Sequence, residues 1–486
     1  MRKTHEHLAC RKIISIGSVV ACLLVSGCTT VAGLRSHEAK VAEVWHATLP
    51  HGGETSELVS WWWTFDDPSL TALIAEAQAK SPDLDVAAAE IERARAALQS
   101  AQAHRIPALD GSASLKRSGS GGDASNRLSA STTTAGTLDA SWEIDLFGKL
   151  RHRSEAARLR VDERFADWHA ARVSLAAEVA DHYVQFRACR QLERAYAAEV
   201  TSQRETMRAT ETAASSGFKS SGEVALTRAS TASSASTLTA QRAECEILVK
   251  SLARLTGGDE PFVRSLLKKG KSSIPQPKAL KLTSVPAEVL RQRPDINALE
   301  LEVAAAMAEF GAAKADLYPS LSLGGTLQIS GSSLTGTSAP WSFGPALSIP
   351  LLDGGARRAT VKGAASAYDV AAANYRSGVL TAVAEVETAL VRIDSARSRI
   401  GDAASAARNY RLYFDTVDSN WRAGGASLLE REDARRSAHA AEVSLIEIRR
   451  ETVRFWIALY KALGGGWDAN TVSPMPLPQV AKGNRT

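Results

Sequence analysis

Gly354-Gly355-Ala356 opens the stretch that decides the fold, and Tyr460-Lys461-Ala462-Leu463-Gly464-Gly465-Gly466-Trp467 closes it. Between these segments the apolar side chains follow a helical period, which is interrupted only near Ala423-Gly424-Gly425-Ala426. The pattern predicts a very long helical hairpin. The same order of elements occurs once before, between Ser81 and Gly257. A chain that builds a strand pair and a long helical hairpin twice is organised as a tube, and not around a catalytic pocket.

The chain has 486 residues, which is enough for two or three ordinary domains. Aromatic residues make up only 6% of it, and alanine and serine are abundant, so closely packed small-residue helices are favoured over one bulky core. The formal net charge is +5, and charges of both signs alternate along the predicted helices. Such alternation is typical of solvated faces, and it predicts no surface for nucleic acid.

Residues 1–27 have the pattern of a secretory signal peptide. A basic segment precedes an apolar run from Ile13 to Val25, and at about 1.5 Å per residue this run is too short to span a bilayer as a helix. The run ends in Val25-Ser26-Gly27-Cys28, which looks like a bacterial lipobox, so Cys28 is the expected site of lipid attachment. An ordinary signal with an incidental cysteine is the alternative. Residues 28–60 would then form a lipidated, polar lead-in.

Landmarks that recur at a fixed spacing indicate an internal tandem repeat. Pro107 recurs as Pro319 after 212 residues, and Gly217 recurs as Gly424 after 207 residues. The repeats predict the following domains: a first repeat of a helix, two strands and a long helical hairpin at 61–257, a linker or equatorial segment at 258–284, a second repeat at 285–467 and a tail at 468–486.

Three helices are predicted in the first repeat, at about 70–103, 149–216 and 222–255. Asp67 or Ser69 would cap the first of them. At 1.5 Å per residue the middle helix would measure roughly 100 Å. It carries an apolar stripe with the three- and four-residue spacing of coiled-coil packing, which consists of Leu175, Val179, Tyr183, Phe186, Cys189, Leu192 and Tyr196.

Residues 138–146 alternate between apolar and polar side chains, as a strand with one face of each kind does. The alternation recurs at 320–330 and 343–351, and more weakly at 109–115. The segment 118–134 is rich in Gly, Ser, Thr and Asn and predicts an exposed loop. The polar faces would line a water-filled duct, with the side chains of Asp139, Glu143, Asp145 and Gln328.

Strands of about ten residues with one apolar face suit a transmembrane β-barrel. Half-buried strands of a soluble sheet are the alternative. Four strands cannot close a barrel around a water channel, and an unpaired strand edge is prohibitive in lipid. The strands therefore predict an oligomer that closes the barrel.

Four segments carry a family resemblance that covers residues 61–467. In order, they are Trp62-Trp63-Thr64-Phe65-Asp66-Asp67-Pro68, Leu290-Arg291-Gln292-Arg293-Pro294-Asp295-Ile296, Ala315-Asp316-Leu317-Tyr318-Pro319-Ser320-Leu321 and the closing Tyr460 to Trp467. Behind a lipobox and on a duplicated frame, they resemble the TolC-like outer-membrane factors, and among these the NodT-type efflux lipoproteins. Thr29, rather than an aspartate, follows the lipobox cysteine, which in similar lipoproteins favours the outer membrane.

The resemblance implies a mixed α/β membrane protein that forms a homotrimer. Three copies would supply four strands each to a twelve-stranded β-barrel, and their helices would continue as a long periplasmic α-helical barrel. The hairpin tips would meet a periplasmic adaptor (membrane fusion) protein and, through it, an inner-membrane transporter. The chain would then be a passive, gated exit duct for small toxic compounds or drugs. An outer-membrane duct for protein secretion and a lipid-anchored periplasmic coiled-coil scaffold are the alternatives.

The resemblance also assigns roles to the two hairpin tips. Contact with the adaptor is expected there, and glycines that merely turn the chain are the alternative. The residues concerned are Gly217, Phe218 and Ser220 in the first tip and Gly424, Gly425 and Ser427 in the second.

A periplasmic gate is expected beside the second tip, around which Arg422, Leu429 and Asp433 lie. Leu429 and Asp433 are four residues apart on one helical face, and by the resemblance they match the positions of an apolar ring and an acidic ring at the aperture. Threefold symmetry would bring three apolar side chains together, and these would exclude water. The chain departs from the family pattern between Leu429 and Asp433, where Glu430, Arg431 and Glu432 replace residues that are more typically apolar. A solvated, charged helix face is the alternative.

Cys189 and Cys245 lie 28 residues on either side of Gly217. Two antiparallel helices that turn at this glycine would hold the two cysteines at the same height, so a disulfide is predicted in an oxidising periplasm. Two buried free thiols are the alternative.

The chain contains no convincing catalytic or metal-binding motif. Gly270-Lys271-Ser272 resembles only the end of a phosphate loop, and no strand precedes it. The histidines are scattered without the spacing of metal ligands on a helix. We therefore expect no enzymatic activity, no metal and no cofactor.

Overall fold

The structure is a computed structural model that describes residues 61–120, 129–277, 290, 293–333 and 336–466. The predicted signal peptide, Cys28, the lead-in and the C-terminal tail lie outside the described residues. In chain order the helices are α1 (Pro68–Lys80), α2 (Pro82–Ala103), α3 (Lys149–Ser215), α4 (Ser221–Leu255), α5 (Glu260–Lys269), α6 (Pro294–Ala315), α7 (Ala356–Arg422) and α8 (Leu428–Ala462). The strands are β1 (Ala108–Ser120), β2 (Ser129–Ile144), β3 (Ser320–Ser332), β4 (Gly336–Ser338) and β5 (Trp341–Ser348).

The lengths of the long helices display the internal repeat. Helices α3 and α7 both contain 67 residues, and α4 and α8 both contain 35. Each bound of α3 and α4 recurs 207 residues later in α7 and α8. At 1.5 Å per residue the two longer helices each measure about 100 Å. Each repeat thus ends in a hairpin of one very long helix and one helix of about half that length.

The helix predicted over 70–103 is wrong in one respect, because the structure divides it at Ser81. Pro82 has no N–H, and its ring disfavours a helical conformation in the residue before it. Ser81 is accordingly extended, with φ −71° and ψ 121°, and Pro82 takes the first position of α2. Asp67 rather than Ser69 caps α1, since its carboxylate accepts a hydrogen bond from the Ser69 N–H at 3.0 Å.

The segment predicted as a linker at 258–284 contains a helix, α5. Asp259 caps it by accepting a hydrogen bond from the Phe262 N–H at 3.0 Å. Val263 and Leu267 are buried on one side of this helix. A ten-residue helix offers few turns in which to recognise a period, which is why the sequence pattern missed it.

The strands form one antiparallel sheet in the order β1-β2-β3, and both β4 and β5 pair with the remaining side of β3. The short β4 was not predicted. The loop predicted at 118–134 is also shorter than expected, because β1 continues to Ser120 and β2 begins at Ser129. The threonines at 132–134 are β-branched and favour a strand, and this preference outweighs the polar composition of the segment.

One face of the sheet is apolar and open to the surroundings of the protomer. Leu138 lies opposite Leu327, and Leu327 lies opposite Trp341 in the next strand, so these side chains share a face. Trp341 and Phe343 are 78% and 71% exposed. On the opposite face the Thr326 hydroxyl donates a hydrogen bond to Asp139 at 2.8 Å.

The sequence pattern placed Asp145 on the polar face of the sheet. This prediction is wrong, because β2 ends at Ile144. Its carboxylate accepts hydrogen bonds from the N–H groups of Leu150 and Arg151, at 3.1 and 2.7 Å. The first N–H groups of a helix have no partner within the helix, and they attract a carboxylate. Asp145 therefore fixes the start of α3.

The two ends of the region that carries the family resemblance, residues 61–467, pack against each other in the hydrophobic core. The ring centroids of Trp61 and Trp62 lie 5.0 and 4.5 Å from that of Tyr460. The Trp62 indole N–H donates a hydrogen bond to the Tyr460 hydroxyl at 3.2 Å, and this hydroxyl donates to the Gly465 carbonyl at 3.1 Å. The segment that contains Arg293 also contacts this core. The buried Arg293 donates a hydrogen bond to the Ala462 carbonyl at 2.8 Å.

Candidate functional site at the hairpin ends

The first hairpin turns at Gly217, whose φ of +81° is a left-handed value that glycine adopts without steric cost. Phe218 follows it and is 82% exposed. Ser220 then caps α4 in a reciprocal arrangement with Glu223. The Ser220 hydroxyl accepts a hydrogen bond from the Glu223 N–H at 3.2 Å, and the Glu223 carboxylate accepts one from the Ser220 N–H at 3.0 Å.

The Glu223 carboxylate also accepts a hydrogen bond from the Lys219 ammonium at 2.8 Å. This bond, followed by the bond from the Ser220 N–H, lowers the pKa of Glu223 to about 2. The carboxylate is thus ionised at neutral pH, and its hydrogen bonds to Lys219 and Ser220 stabilise the conformation of the first tip.

The second hairpin turns at Gly424, which has the same φ of +81°. The Gly425 N–H donates a hydrogen bond to the Asn420 carbonyl at 2.8 Å and satisfies the end of α7. Ser427 caps α8, since its hydroxyl accepts a hydrogen bond from the Glu430 N–H at 3.1 Å. Gly424, Gly425 and Ser427 are all exposed, as a contact surface requires.

A buried arginine stabilises the second hairpin just above its tip. Arg431 is 2% exposed, and its Nε donates a hydrogen bond to the Asp418 carboxylate at 2.6 Å. Its guanidinium also lies over the ring of Trp421, at 4.6 Å from the ring centroid. Arg431 therefore holds α8 against the last turns of α7 by charge and by aromatic contact.

The same region joins the two hairpins to each other. Arg431 also donates to the hydroxyl of Thr206 on α3, and Arg435 pairs with Glu199 on the same helix. Glu432 accepts hydrogen bonds from Gln203 at 3.2 Å and from Arg435 at 2.6 Å. Burial raises the pKa of the Glu432 carboxyl, and Arg431 opposes this effect. We call Glu199, Gln203, Thr206, Asp418, Arg431, Glu432 and Arg435 the interhairpin network.

The candidate gate residues lie beside this network, and one of them, Arg422, contacts it through Asp418. Leu429 is 65% exposed, and Asp433 is exposed on the following turn. Asp433 pairs with Arg436 on its own helix, and Arg422 pairs with Asp418 at 2.9 Å. The structure thus gives Arg422 and Asp433 separate partners within one protomer, and it leaves the leucine side chain uncovered.

A groove of 630 Å³ separates α4 from α8 near the tips. Leu226 from the first hairpin and Leu429 from the second line it, together with Glu432 and Arg435 of the interhairpin network. The candidate gate side chain therefore stands at the edge of a cleft between the hairpins, where a relative movement of the two hairpins would displace it.

Cys189 and Cys245 form a disulfide in the structure, with their Cα atoms 5.6 Å apart. The bond joins α3 to α4 within the first hairpin. In the second repeat the positions 207 residues later are occupied by Ala396 and Thr452, so this covalent link has no counterpart there. The disulfide therefore cross-links the two helices of the first hairpin only.

Sequence reasoning missed the interhairpin network as a unit. It noted Arg431 and Glu432 only as a departure from the family pattern. Arg431 and Arg435 are four residues apart and share a helix face, which is the one local signal of the network. Their partners on α3 lie 225 and 236 residues away in the chain. No local period can reveal contacts at that separation.

The model of the family described as outer membrane efflux protein matches residues 73–258 and 285–465, which correspond to the two repeats. The chain belongs to this family. It is an outer-membrane efflux component that extends into the periplasm.

Individual relatives agree with this assignment. The chain is 30% identical over 458 residues to nodulation protein T of Rhizobium leguminosarum bv. trifolii, which covers 92% of this chain and 96% of the relative. It is 28% identical to the pyoverdine export outer membrane protein OpmQ of Pseudomonas aeruginosa, over 94% of this chain and 98% of the relative. The crystal structure of the Campylobacter jejuni CmeC outer membrane channel superposes with a TM-score of 0.79 at 26% identity, covering 91% of this chain and 96% of the channel.

The described residues contain no helix that combines the length and apolar character that crossing a membrane demands. They include no group of three or more His, Cys, Asp or Glu side chains that could hold a metal ion.

Proposed function

We propose that three copies of this chain assemble into a gated exit duct for small toxic compounds. The strands of the trimer close a twelve-stranded β-barrel in the outer membrane, and the long helices continue it as an α-helical barrel through the periplasm. Lipid on Cys28 adds a further anchor. The duct is passive and supplies no energy of its own.

The sheet is the observation that carries this proposal. Its apolar face is exposed in the protomer, and among the described strands β1 and β5 each have one unpaired edge. An unpaired edge in lipid leaves backbone groups without hydrogen bonds, at a cost of several kcal/mol for each group. Pairing β1 of one protomer with β5 of the next satisfies both edges, and repetition of this contact closes a ring.

The hairpin tips support a role in docking. The ends of the two long hairpins present the tip residues, which are Gly217, Phe218 and Ser220 in the first tip and Gly424, Gly425 and Ser427 in the second. We propose that both tips contact a periplasmic adaptor protein, which connects the duct to an inner-membrane transporter. The exposed Phe218 is the natural anchor of such a contact, because a large apolar side chain gains most from burial.

Leu429 and Asp433 would form the gate of the closed duct. Three exposed Leu429 side chains, one from each protomer, would exclude water at the threefold axis. Arg422 would contribute a positive charge beside them. The interhairpin network would hold the helices that carry these residues in the closed arrangement.

Small compounds are the favoured cargo rather than proteins. OpmQ is named for the export of pyoverdine, and SrpC and TtgI of Pseudomonas putida are named for efflux of solvent and toluene. The match to each of them covers more than nine tenths of this chain. Their cargoes differ, so selection of the compound belongs to another component of the pump.

The deciding experiment is single-channel recording from the purified, detergent-extracted protein in a planar lipid bilayer. Cross-linking before the recording would establish how many copies the particles contain. A trimer with discrete conductance steps is the expected result. A verified trimer without conductance would contradict the duct and favour a lipid-anchored scaffold, and a conducting particle with another number of copies would contradict the proposed barrel.

A further inference from the structure

A pocket of 330 Å³ opens between α3, α4 and α5, and it is lined by residues other than those of the hairpin tips. This volume lies at the lower end of the range typical of small-molecule sites. The disulfide borders it, since Cys245 is one of its lining residues. The cationic residues that line it are Arg187, Arg190, Arg194, Arg264 and Lys268, whereas Glu246 is the one carboxylate among the lining residues.

Two of these cations already have carboxylate partners. Arg190 pairs with Glu193, and Arg264 pairs with Glu246 at 2.5 Å and with Glu260 at 2.8 Å. These pairs neutralise part of the wall of the pocket. The single lining carboxylate is therefore occupied by Arg264.

Within the described part of the chain, the other three cations have no such partner. No carboxylate among the residues that the structure describes lies within ion-pair distance of Arg187, Arg194 or Lys268. Arg194 and Lys268 are exposed at the surface, where water solvates them. Arg187 is only 4% exposed, so its charge has lost most of its hydration without gaining a direct ion pair with a described carboxylate.

The contacts of Arg187 show how it is held. It donates hydrogen bonds to the Leu267 carbonyl at 2.9 Å and to the Tyr183 hydroxyl at 2.8 Å, and Tyr183 in turn donates to Asp67 at 2.6 Å. The Nε–H of Arg187 has no acceptor in the described part of the chain. A Cβ at Gly270 would come within 2.0 Å of the guanidinium, so the glycine preserves the space that Arg187 occupies.

We propose that this pocket binds a multiply charged oxyanion, with Arg187 at its inner wall and Arg194 and Lys268 at its mouth. Arginine side chains from α3 and a lysine side chain from α5 suit phosphoryl or carboxylate oxygens, which accept charge-assisted hydrogen bonds from both. The bound anion supplies the negative charge that the buried guanidinium lacks. It also connects α3 to α5 and so braces the end of the first hairpin.

Isothermal titration calorimetry on the detergent-extracted full-length protein tests the proposal. Inorganic pyrophosphate and citrate are titrated separately, at constant ionic strength set with sodium chloride. Saturable binding of either anion is expected, and the preference between them assigns the site to phosphoryl or to carboxylate groups. The absence of saturable binding for both anions would overturn the proposal.

A pair of double variants separates a built site from general attraction to a basic surface. Arg194→Gln with Lys268→Gln should weaken binding at least about tenfold, because two charge-assisted contacts are lost. Arg204→Gln with Lys269→Gln removes the same charge from exposed positions on the same two helices outside the pocket. This control should change the dissociation constant by less than about twofold. Equal weakening in both variants would reduce the effect to diffuse electrostatics and contradict the site.

Discussion

The Nε of Arg431 lies 2.6 Å from the Asp418 carboxylate, across the turn of the second hairpin. This contact places a buried positive charge between the two candidate gate residues, Leu429 and Asp433, in the sequence. Replacing Arg431 by methionine removes the charge but keeps an unbranched side chain of similar length. Because Asp418 retains only its bond to Arg422, we expect a loss of about 3 kcal/mol in the free energy of unfolding. Thermal unfolding followed by circular dichroism measures this loss.

Arg436→Met is the matched control for this change. Arg436 lies on the same helix, is exposed and pairs only with Asp433 among the described residues. Exposed pairs contribute little, so its unfolding temperature should stay close to that of the native protein. If Arg431→Met and Arg436→Met unfold at the same temperature, the buried contact does not stabilise the hairpin.

Leu429→Ala should open the duct without unfolding it. The leucine is 65% exposed in the protomer, so truncation should change the free energy of unfolding by less than about 0.5 kcal/mol. Conductance in planar bilayers should rise, because three smaller side chains leave water at the aperture. Leu380→Ala provides the control, since Leu380 is 62% exposed and lies far from the tip on α7. Equal conductance in the two variants would move the gate away from Leu429.

The first tip should loosen in acid. The pKa of Glu223 is lowered to about 2 in the folded chain, from an ordinary value of 4.5. A depressed carboxyl pKa stabilises the folded form above the ordinary value, and the stabilisation disappears as the pH falls from about 4.5 towards 2. Hydrogen-exchange protection of peptides covering 218–226 should therefore decrease over this interval.

Two substitutions test whether Glu223 is the cause. Glu223→Gln should lower the protection of the first tip already at pH 6 and should remove its further decrease in acid. Glu430→Gln alters the corresponding residue of the second tip, where the Ser427 cap uses the backbone N–H of this residue. That variant should leave the first tip unchanged. A decrease in acid that persists in Glu223→Gln would assign the effect to another group.

Reduction of the disulfide should destabilise the first hairpin. Cys189 and Cys245 are separated by 56 residues, and closure of a loop of that length corresponds to about 4 kcal/mol in the chain-entropy model. The double variant Cys189→Ser with Cys245→Ser should unfold at a lower temperature, and dithiothreitol should shift the native protein to the same value. A native protein that does not respond to dithiothreitol and yields two free-thiol peptides by mass spectrometry would show that the bond does not form.

A charge on the apolar face of the sheet should impair assembly in the membrane. Phe343→Arg places a cation where we propose lipid contact, at a cost of about 2–4 kcal/mol for each protomer near the bilayer midplane. Ser342→Arg carries the same charge on the neighbouring residue, which points to the opposite face of β5. Trimer recovery from outer membranes should fall for the first variant only. Equal recovery would contradict the proposed orientation of the sheet.

Most of the helical organisation could be predicted from the sequence, because it depends on short periods. The bounds 149–216 and 222–255 were predicted within one residue of the observed helices. The errors arose where a single residue outweighed the period, as Pro82 did by dividing a predicted helix. They also arose where an element was too short to display a period, as in α5 and β4.

The candidate site was predictable only in part. The glycines and serines of the tips follow from turn and capping chemistry, which acts over three or four residues. Arg435 gives no such signal, since its partner Glu199 lies on another hairpin. The groove beside Leu429 likewise exists only because two hairpins run side by side.

The sequence by itself determined the duplication, the two helical hairpins, the amphipathic strands and the positions of the turns, because each depends on residues close together in the chain. The tertiary structure alone decided that Trp62 meets Tyr460 and that Arg431 is buried against Thr206. It also decided that three cations, which have no carboxylate within ion-pair distance among the described residues, line one pocket. These contacts join segments that are far apart in sequence, and close packing fixes which side chains face one another. A local period predicts which face of a helix is apolar. Which neighbour packs against this face depends on the tertiary structure.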